Sequence, residues 1–446
     1  MQDNRYNLIT DGPIAKGLSS LFFPILFGTF FQQLYNIADS IVVGKLIGKE
    51  ALAAVGGGTS QIIGLIIGFV IGVSAGSGVL ISQYYGNKDL ENTKKSIDSA
   101  IIMSLAASIA ITILGVYLTP FLLRLIKTPE DIFALSESYL KLYFTGSSMM
   151  IIYSMISGIF RSIGDGRRPL YPLVIGSILN VFLDLLLIGH FNLGVSGAAL
   201  ATVLSQTFCC IYSLFLLRFT HPELKFHFRG MSFKKEKAKK MLRMGIPIGI
   251  QAMMFTVSKL FLISGINAFG SDTAAAWAVY TKLDTIYYTV LSAFSMSITA
   301  YVGQNYGAGK TQRAKKAVRK TLLFSAIYTL SVSLLYTTKS EWVYSIFTFD
   351  EGVIGIGHEI VMTIAPFLLI YLPLEILTGA IQGEGKIFVP TLTSIFGICF
   401  FRVIWLYTGA NFIPTIGGLL LCYPLSWVIN STIITIYYLY RRQEAK

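Results

Sequence analysis

The stretch Arg168–His190, which reads RPLYPLVIGSILNVFLDLLLIGH, decides the fold class of this chain. It is long enough to cross a bilayer, because a transmembrane helix needs about 20 mostly apolar residues. Within it, Asn180 and Asp184 are four residues apart and therefore share one face of a helix. An ionisable group inside a membrane span is costly and is usually functional. The stretch therefore predicts a transmembrane helix whose polar face has a functional role.

The composition of the whole chain agrees with this prediction. The 446 residues are 54% hydrophobic and only 13% charged, with a mean hydropathy of +0.64. A soluble protein would carry about 25% charged residues. The 41 glycines suit helices that pack closely in lipid, and the long apolar runs are unlike the short alternating segments of a membrane β-barrel. We therefore expect an all-α polytopic membrane protein.

Twelve apolar segments can be counted along the chain, and several are longer than a straight span requires, so we expect some to be tilted. Their approximate ranges are 18–45, 51–84, 97–120, 133–160, 168–190, 194–218, 241–267, 274–303, 317–338, 357–381, 387–409 and 414–440.

The distribution of lysine and arginine predicts the orientation of these spans. The net charge of +13 comes mainly from basic residues in alternate connecting loops, which argues against a nucleic-acid partner. Since cytoplasmic loops are enriched in lysine and arginine, both termini are predicted to be cytoplasmic. Residues 1–17 are polar and contain no cleavable signal peptide, so the first span is expected to remain. The expected location is the plasma or inner membrane.

No cofactor is expected from the cysteine and histidine content. The four cysteines lie in apolar segments without metal-ligand spacing, so they are interpreted as packing residues, and no zinc or haem pattern involves the four histidines. The cysteines are Cys209, Cys210, Cys399 and Cys422.

The chain divides into two halves of six spans. Residues 220–240 form its longest polar and most basic connection, which suits a solvated linker, although contact with lipid headgroups is possible too. This predicts lobes at 1–219 and 241–446. Three matched features recur in the same order, so the lobes should be pseudo-symmetric, with a substrate cavity between them. The matched pairs are Gln83–Gly86 and Gln304–Gly307, Pro24 and Pro247, and Gly164–Gly166 and Gly383–Gly385.

Four polar residues of the first half are expected in one layer of the membrane. Asp39, Asp184 and Thr202 each lie about 8–12 Å from the outer end of their span, at 1.5 Å per helical residue, and Asn180 lies one turn deeper than Asp184. Two close carboxyls cannot both ionise cheaply, so they suit a proton or a sodium ion. The alternative is that Asp39 and Asp184 only cap helices or pair within the fold.

The second half carries a different set of charges. Lys259, Lys282 and Asp284 lie within its first two spans, and Arg402 falls where the repeat places Asp184. One interpretation is an ion pair of Asp284 with Lys259 or Lys282 that holds two helices together. The other is that Asp284 takes part in binding substrate or cation.

Further residues are candidates for a substrate cavity or for movement. Gln32, Tyr35 and Asn36 give the first span a polar face before Asp39. Methionines such as Met150 could line a permissive cavity, although such residues more often fill a core. Pro24 is a candidate hinge, and Pro366 and Pro373 are expected kinks, while Glu375 suits a structural or gating role.

Together these residues resemble the MATE (multidrug and toxic compound extrusion) family, over essentially all twelve spans. The resemblance is carried by Pro24–Asp39, by the two motifs Gln83–Gly86 and Gln304–Gly307, and by Gly164–Pro169. It implies two six-helix lobes and the export of amphipathic, often cationic compounds in exchange for H⁺ or Na⁺ by alternating access. It also implies a first-lobe cation site formed by Asp39, Asn180, Asp184 and Thr202.

The resemblance also indicates which lobe should carry the coupling, which partners are expected and which other functions stay open. Other branches of the family place a glutamate in span seven, and this chain has no acid between Met241 and Asn267, so the first lobe should carry the coupling. The expected partners are a drug-like molecule and the bilayer, with the protein acting as a monomer. A flippase for lipid-linked oligosaccharide or another lipid stays open because of Lys259, Lys282 and Arg402. An enzyme or channel has no supporting motif.

Overall fold

The computed structural model describes residues 7–221, 224 and 230–444. Its helices are α1 (Ile14–Leu46), α2 (Lys49–Gly56), α3 (Gly58–Gly86), α4 (Leu90–Leu125), α5 (Glu130–Ser162), α6 (Leu170–Asp184), α7 (Gly194–Thr220), α8 (Lys235–Asn267), α9 (Ser271–Gly307), α10 (Thr311–Ser345), α11 (Glu351–Ile364), α12 (Leu368–Gly383), α13 (Phe388–Ser394), α14 (Phe401–Tyr407), α15 (Gly409–Phe412), α16 (Ile416–Leu420) and α17 (Cys422–Glu444). Two π-helical segments, Leu185–His190 and Ile395–Phe400, follow α6 and α13.

These helices confirm the predicted all-α membrane fold. Within the described residues, eleven helical segments are long and apolar enough to cross a membrane. The remaining predicted span, the eighth in the chain, is α9, whose 37 residues are ample in length. Lys282, Asp284 and several tyrosines make α9 less apolar than the others.

Some predicted spans are built from more than one helix. The second span is divided at Gly57 into α2 and α3, and the tenth is divided at Pro366, where the short 3₁₀ turn Ala365–Phe367 separates α11 from α12. Proline lacks the backbone N–H that an α-helix needs in its interior. Pro24, by contrast, lies inside the continuous helix α1, and Pro373 lies inside α12.

The chain forms two compact units, whose boundaries differ from the predicted lobe boundaries of 1–219 and 241–446. The first unit is Ser19–Gly249, and the second is Met1–Leu18 with Ile250–Lys446. The first turns of α1 therefore belong to the second unit, and the first half of α8 belongs to the first unit. Part of the predicted linker 220–240, namely 222–223 and 225–229, lies outside the described residues.

Glycine pairs explain why the first half of α8 belongs to the first unit. A Cβ atom added at Gly72 would lie 2.3 Å from the backbone nitrogen of Gly249, and one at Gly76 would lie 2.3 Å from that of Gly245. Helices α3 and α8 thus touch backbone to backbone, as small residues allow in membrane proteins.

In each unit, the repeated motif or a residue close to it contacts a segment at or before the start of a six-helix half. In the second unit, the Asn7 amide donates to Gln304 Oε1 at 3.2 Å, and Arg313 Nε donates to the carbonyl of Ile9 at 3.1 Å. In the first unit, Lys237 Nζ lies 4.0 Å from the centre of the Tyr84 ring. These contacts place residues 7–18 and 230–249 on units that the chain order alone would not assign.

The core of the first unit contains two apolar clusters. One gathers residues of α3, α4, α5 and α7 around Phe160 and Leu217, and the other gathers residues of α1, α2 and α5 around Leu140 and Phe144. The second cluster packs beside the polar residues described next, because it includes Tyr139 and Tyr143 of α5.

Candidate functional site

The first unit brings Asp39 of α1 and Asp184 of α6 together. Asp39 is 8% exposed and Asp184 is fully buried. Their carboxyl groups lie within hydrogen-bonding reach of each other. Both oxygens of Asp184 and Oδ1 of Asp39 are nevertheless buried without a hydrogen bond from any protein donor. Two adjacent carboxylates have no proton between them, so these oxygens need a proton or a cation.

Asn180, one turn before Asp184, and Thr202 lie on the packed helices α6 and α7. The Cys209 thiol donates to the Pro172 carbonyl at 3.1 Å, and Gly176 lies against Ser205 and Cys209. Because the two helices run antiparallel, the turn of α6 that follows Gly176 lies opposite the turn of α7 that precedes Ser205. The first contains Asn180 and the second contains Thr202. Both side chains are buried, and neither Oδ1 nor Nδ2 of Asn180 has a hydrogen-bond partner.

Two tyrosines of α5, which were not among the predicted site residues, complete the cluster. Tyr139 and Tyr143 are 5% and 8% exposed, and Tyr139 lies close enough to Asp39 and Asp184 to interact with their charges. The two rings stack with centroids 6.2 Å apart. The signal in the sequence was their spacing of four residues, but that pattern is also typical of an ordinary apolar helix face.

The candidate cavity residues of this unit divide into two groups. Tyr35 lies near Asp39, Asp184 and Tyr143, and Met150 accepts a hydrogen bond from the Tyr143 hydroxyl at 3.2 Å. Tyr35 therefore belongs to the acid cluster, whereas Met150 is linked to it only through Tyr143. Gln32 and Asn36 are exposed on α1, one turn or two before Asp39.

The acid pair has a chemistry that suits a small cation. Burying an uncompensated carboxylate is expensive, and two of them repel each other in a medium of low dielectric constant. A proton shared by the pair, or a sodium ion held by oxygens of Asp39, Asp184 and Asn180, would remove both penalties. Binding of a cation and neutralisation of the pair would therefore be the same event.

The basic residues of the second unit do not form the predicted ion pair. Asp284 is 8% exposed on the inner face of α9, whereas Lys282 is exposed on the opposite side of the same helix. Lys259 is exposed on α8, near enough to interact with the Asp284 charge. Among the ion pairs of the described residues, none joins Asp284 to Lys259 or Lys282. The interpretation of Asp284 as half of a helix-holding ion pair is therefore wrong.

Glu375 of α12 is bound by its neighbours. The Tyr371 hydroxyl donates to its Oε2 at 2.8 Å, and the Ser295 hydroxyl donates to its backbone carbonyl at 3.2 Å. The Ser295 contact joins α9 to α12, and the structural or gating role expected of Glu375 stays a prediction.

The same fold and a related sequence occur in known transporters. A sequence model of the MatE family matches residues 24–186 and 247–408. The "Probable multidrug resistance protein YoeA" of Bacillus subtilis (strain 168) is 25% identical over 433 residues, which are 95% of this chain and 93% of that protein. An "FAD transporter" of Shewanella oneidensis is 24% identical over 98% of this chain and 97% of its own length.

Among solved structures, the chain matches a MOP superfamily transporter from Pyrococcus furiosus Vc1 (DSM3638). The TM-score is 0.90 at 23% identity, over 97% of each chain, which shows a shared fold. Because the MatE model covers both halves and the helices match throughout, this chain belongs to the MatE family of multi-pass membrane transporters.

Proposed function

We propose that this chain is a cation-coupled antiporter that exports amphipathic, often cationic organic compounds by alternating access. The observation that carries the proposal is the acid pair of the first unit. Asp39 and Asp184 lie within hydrogen-bonding reach, and their buried oxygens receive no protein hydrogen bond. Such a pair is stable only when a cation is present, so its occupancy can drive a change of conformation.

The coupling ion in this proposal is H⁺ or Na⁺. A proton needs only the two carboxyls, whereas sodium prefers several oxygen ligands, which Asn180 and Thr202 can supply. The free amide oxygen of Asn180 is the feature that keeps sodium in the proposal. We expect no organic cofactor.

In this mechanism, α1 transmits the binding of the cation. Asp39 and Pro24 are on the same continuous helix, and the proline leaves one backbone carbonyl without its usual helical partner. Neutralising Asp39 removes a buried charge from α1 and so changes the surroundings in which this helix is stable. Pro24 is the position at which the helix can bend. The exposed polar groups Gln32 and Asn36 would then face the substrate cavity.

The location and the assembly state follow from the same proposal. The protein would act as a monomer in the plasma or inner membrane, with both termini cytoplasmic, as the distribution of basic residues predicts.

The test is dye export from vesicles that contain the purified protein. A cationic dye such as ethidium is loaded, and the pH gradient and the sodium gradient are collapsed separately. Export should stop when the gradient of the coupling ion is removed and continue when the other is removed. Export that survives the loss of both gradients would refute cation coupling.

A second candidate is the transport of an anionic amphiphile or lipid. The observation in its favour is the buried Arg402 of the second unit. The relative named as an FAD transporter adds a phosphate-bearing cargo to the compounds worth testing. Saturable binding of a pyrophosphate lipid to the purified protein, without export of cationic dyes, would favour this candidate.

A further inference from the structure

The chain that leads into α1 is docked on the second unit along residues 7–13, which we call the N-terminal strap. Asn7 Oδ1 accepts hydrogen bonds from the backbone N–H groups of Ile9 and Thr10, at 2.9 and 3.4 Å. Asparagine side chains stabilise turns by bonding to their own backbone in this way. The turn buries Ile9 and Thr10, which are 2% and 3% exposed. The strap is therefore folded and packed, although it lies outside any helix.

Two side chains of the second unit hold the strap through its backbone carbonyls. Arg313 Nε donates to the Ile9 carbonyl at 3.1 Å, and a second nitrogen of the same guanidinium donates to the Gly12 carbonyl. Asn305 Nδ2 donates to the Ile9 carbonyl as well, at 3.3 Å. Arginine carries five N–H donors in a fixed fork, so one side chain can satisfy two carbonyls at once. Arg313 thus bonds to the strap at two places.

Lys310 makes the other charged contacts with the strap. Its Nζ lies 2.6 Å from Asp11 Oδ1 and donates to the Thr10 carbonyl at 3.1 Å. The side chains of Lys310 and Asp11 are 43% and 30% exposed. An exposed ion pair contributes little because water screens it, whereas hydrogen bonds from a charged donor to part-buried carbonyls contribute more. We therefore expect Arg313 to be the main anchor of the strap and Asp11 to be a minor one.

Close packing continues from the strap into the first turn of α1. A Cβ atom added at Gly17 would lie 3.0 Å from Cε2 of Tyr301 on α9. The second unit includes this helix only as far as Leu18, and the rest of α1, with Pro24 and Asp39, belongs to the first unit. One continuous helix is thus fixed to the second unit at its beginning and carries half of the acid pair of the first unit further along.

The matched segment before α8 is docked on the first unit with the opposite hydrogen-bonding polarity. The backbone N–H of Ser232 donates to Asp98 Oδ2 at 3.2 Å, and that of Lys234 donates to Ser99 Oγ at 3.0 Å. There α4 supplies acceptors and the segment supplies donors, whereas in the second unit α10 supplies cationic donors and the strap supplies carbonyls. Because a docked entry segment recurs in both halves, docking belongs to the architecture and is not peculiar to one end of the chain.

We propose that the N-terminal strap is an anchor that fixes the beginning of α1 to the second unit, with Arg313 as its positioning residue. Neutralisation of Asp39 then acts on a helix whose first turns are held, so the change is taken up at Pro24 and is passed to the second unit. Without the anchor, the first turns of α1 would follow the rest of the helix, and cation binding would have its effect within the first unit alone. This inference rests on the proposed cation-coupled export, for which it names the part that carries the coupling to the second unit.

The accessibility of Thr10 reports whether the strap is docked. The four native cysteines are buried, so a thiol introduced as Thr10→Cys is the one that a water-soluble maleimide should modify. Labelling of the purified full-length protein in detergent is followed by mass spectrometry. The protein with this single change should react slowly, because position 10 is only 3% exposed.

Loss of the anchor should expose this thiol. Arg313→Met keeps a long side chain but removes every donor, so it should raise the labelling rate about 10-fold or more. Arg313→Lys should give an intermediate rate, because an ammonium keeps the charge without the planar fork. Asp11→Asn should change the rate by less than about threefold. Lys316→Met, at an exposed position on the same helix, is the matched control and should leave the rate unchanged.

Dye export separates an anchor that positions α1 from a contact that only stabilises the fold. In vesicles with equal amounts of inserted protein, Arg313→Met should lower the maximal rate of cation-driven export about fivefold or more. The cation concentration for half-maximal export should stay within about twofold of the wild type, because the acid pair is untouched. Arg313→Lys should restore part of the maximal rate. Binding of the dye in detergent should be unchanged in both variants, which a misfolded protein would not show.

Three results would overturn the proposal. They are fast labelling when Thr10→Cys is the only change, slow labelling with Arg313→Met, and fast labelling with Arg313→Met that still exports at the wild-type rate. If Arg313→Met does not fold, Arg313→Lys and Asn7→Ala, which removes the turn-forming amide, take its place. Export should then fall in the same order as labelling rises, and the lack of that relation counts equally against the anchor.

The labelling measurement requires no gradient, so it separates this inference from cation coupling. Asp39→Asn should leave the slow labelling of Thr10→Cys unchanged while export is lost. If labelling follows the expected order but wild-type export survives the collapse of both gradients, cation coupling is at fault. If export needs a gradient but does not respond to Arg313→Met, the anchor is at fault.

Discussion

The acid cluster of the first unit and the mixed cluster of the second unit, Asp284 with Arg402, share one matched position in the sequence repeat, but the residues at that position have opposite charges. Asp184 follows the Gly164–Gly166 loop, and Arg402 follows the matched Gly383–Gly385 loop at nearly the same distance. In the first unit two carboxyls lie side by side. In the second, Asp284 and Arg402 are buried, and no ion pair among those of the described residues joins them. The comparison teaches that the two halves of a sequence repeat can diverge in their buried charges.

The backbone differs at the same places. The π-helical segment Leu185–His190 begins directly after Asp184, whereas the segment Ile395–Phe400 ends before Arg402. A π-turn changes the direction in which the following residues project. The first unit thus keeps Asp184 in the regular register of α6, beside Asn180, and the second unit re-aims Arg402. This difference in backbone accompanies the difference in charge.

The largest expected effect comes from removing either member of the acid pair. Asp39→Asn or Asp184→Asn should reduce coupled dye export by at least about 10-fold, because an amide cannot take up and release the cation. Export from vesicles with equal amounts of inserted protein is the measurement. Asp131→Asn, an exposed acid at the start of α5, is the control and should export normally. Full export by both site variants would break the distinction between the two units.

The next effect concerns the two matched loops that precede the charged helices. Burial alone would raise the pKa of Asp165, but hydrogen bonds from His221 and the Arg168 backbone, together with the Arg168 charge, hold it below its usual value. Burial raises the pKa of the matched residue Glu384, and Arg441, 4.0 Å away, only partly opposes this. The two carboxyls should therefore affect the free energy of unfolding with opposite signs.

At neutral pH, Asp165→Asn should lower the free energy of unfolding by about 2 kcal/mol, because hydrogen bonds to a charged group are lost. The stabilisation by Asp165 is present above its unfolded pKa and is lost as the pH falls through its folded pKa, so the penalty should shrink in acid. The contribution of Glu384 is present below its unfolded pKa and is lost as the pH rises through its folded pKa. Glu384→Gln should therefore be neutral or stabilising at pH 7.

Thermal unfolding of the purified protein in detergent, at neutral and acidic pH, measures both changes. Equal destabilisation by the two substitutions at neutral pH would show that the loops do not differ electrostatically. A penalty for Asp165→Asn that grows in acid would contradict the low pKa of Asp165.

The smallest effect is expected at Tyr139, the tyrosine that the acid cluster gains from α5. Tyr139→Phe removes a hydroxyl near Asp39 and Asp184 and should raise the cation concentration for half-maximal export about fivefold, equivalent to about 1 kcal/mol. Tyr117→Phe, at a position that is 80% exposed on α4, is the matched control. If the two variants respond alike, Tyr139 belongs to the apolar core and not to the cation site.

Much of the fold could be predicted because bilayer physics leaves few options. A run of about 20 apolar residues must form a helix, since no water is present to satisfy its backbone. The approximate spans and their number are therefore visible in the sequence. The unit boundaries at Leu18 and Gly249 are not visible in the sequence. The boundary at Gly249 depends on the close contact between the backbones of α3 and α8, which their glycines allow.

The candidate site could be predicted in part for a related reason. Asp39, Asn180 and Asp184 stand out because polar groups are rare in spans, and helical spacing puts the last two on one face. Tyr139 and Tyr143 do not stand out, since tyrosines are common in such helices. Lys282 and Asp284 are equally visible in the sequence, but a difference of two residues places them on opposite sides of α9.

The sequence by itself determined that this chain crosses a membrane repeatedly, that its halves repeat, and that it carries rare intramembrane charges. Composition and spacing suffice for these conclusions because the cost of burying charge in lipid is large and local. Only the tertiary structure decided which charges meet. Asp39 and Asp184 became a pair, and Asp284 and Arg402 stayed apart, because contacts between distant helices depend on register and close packing, which no single span encodes.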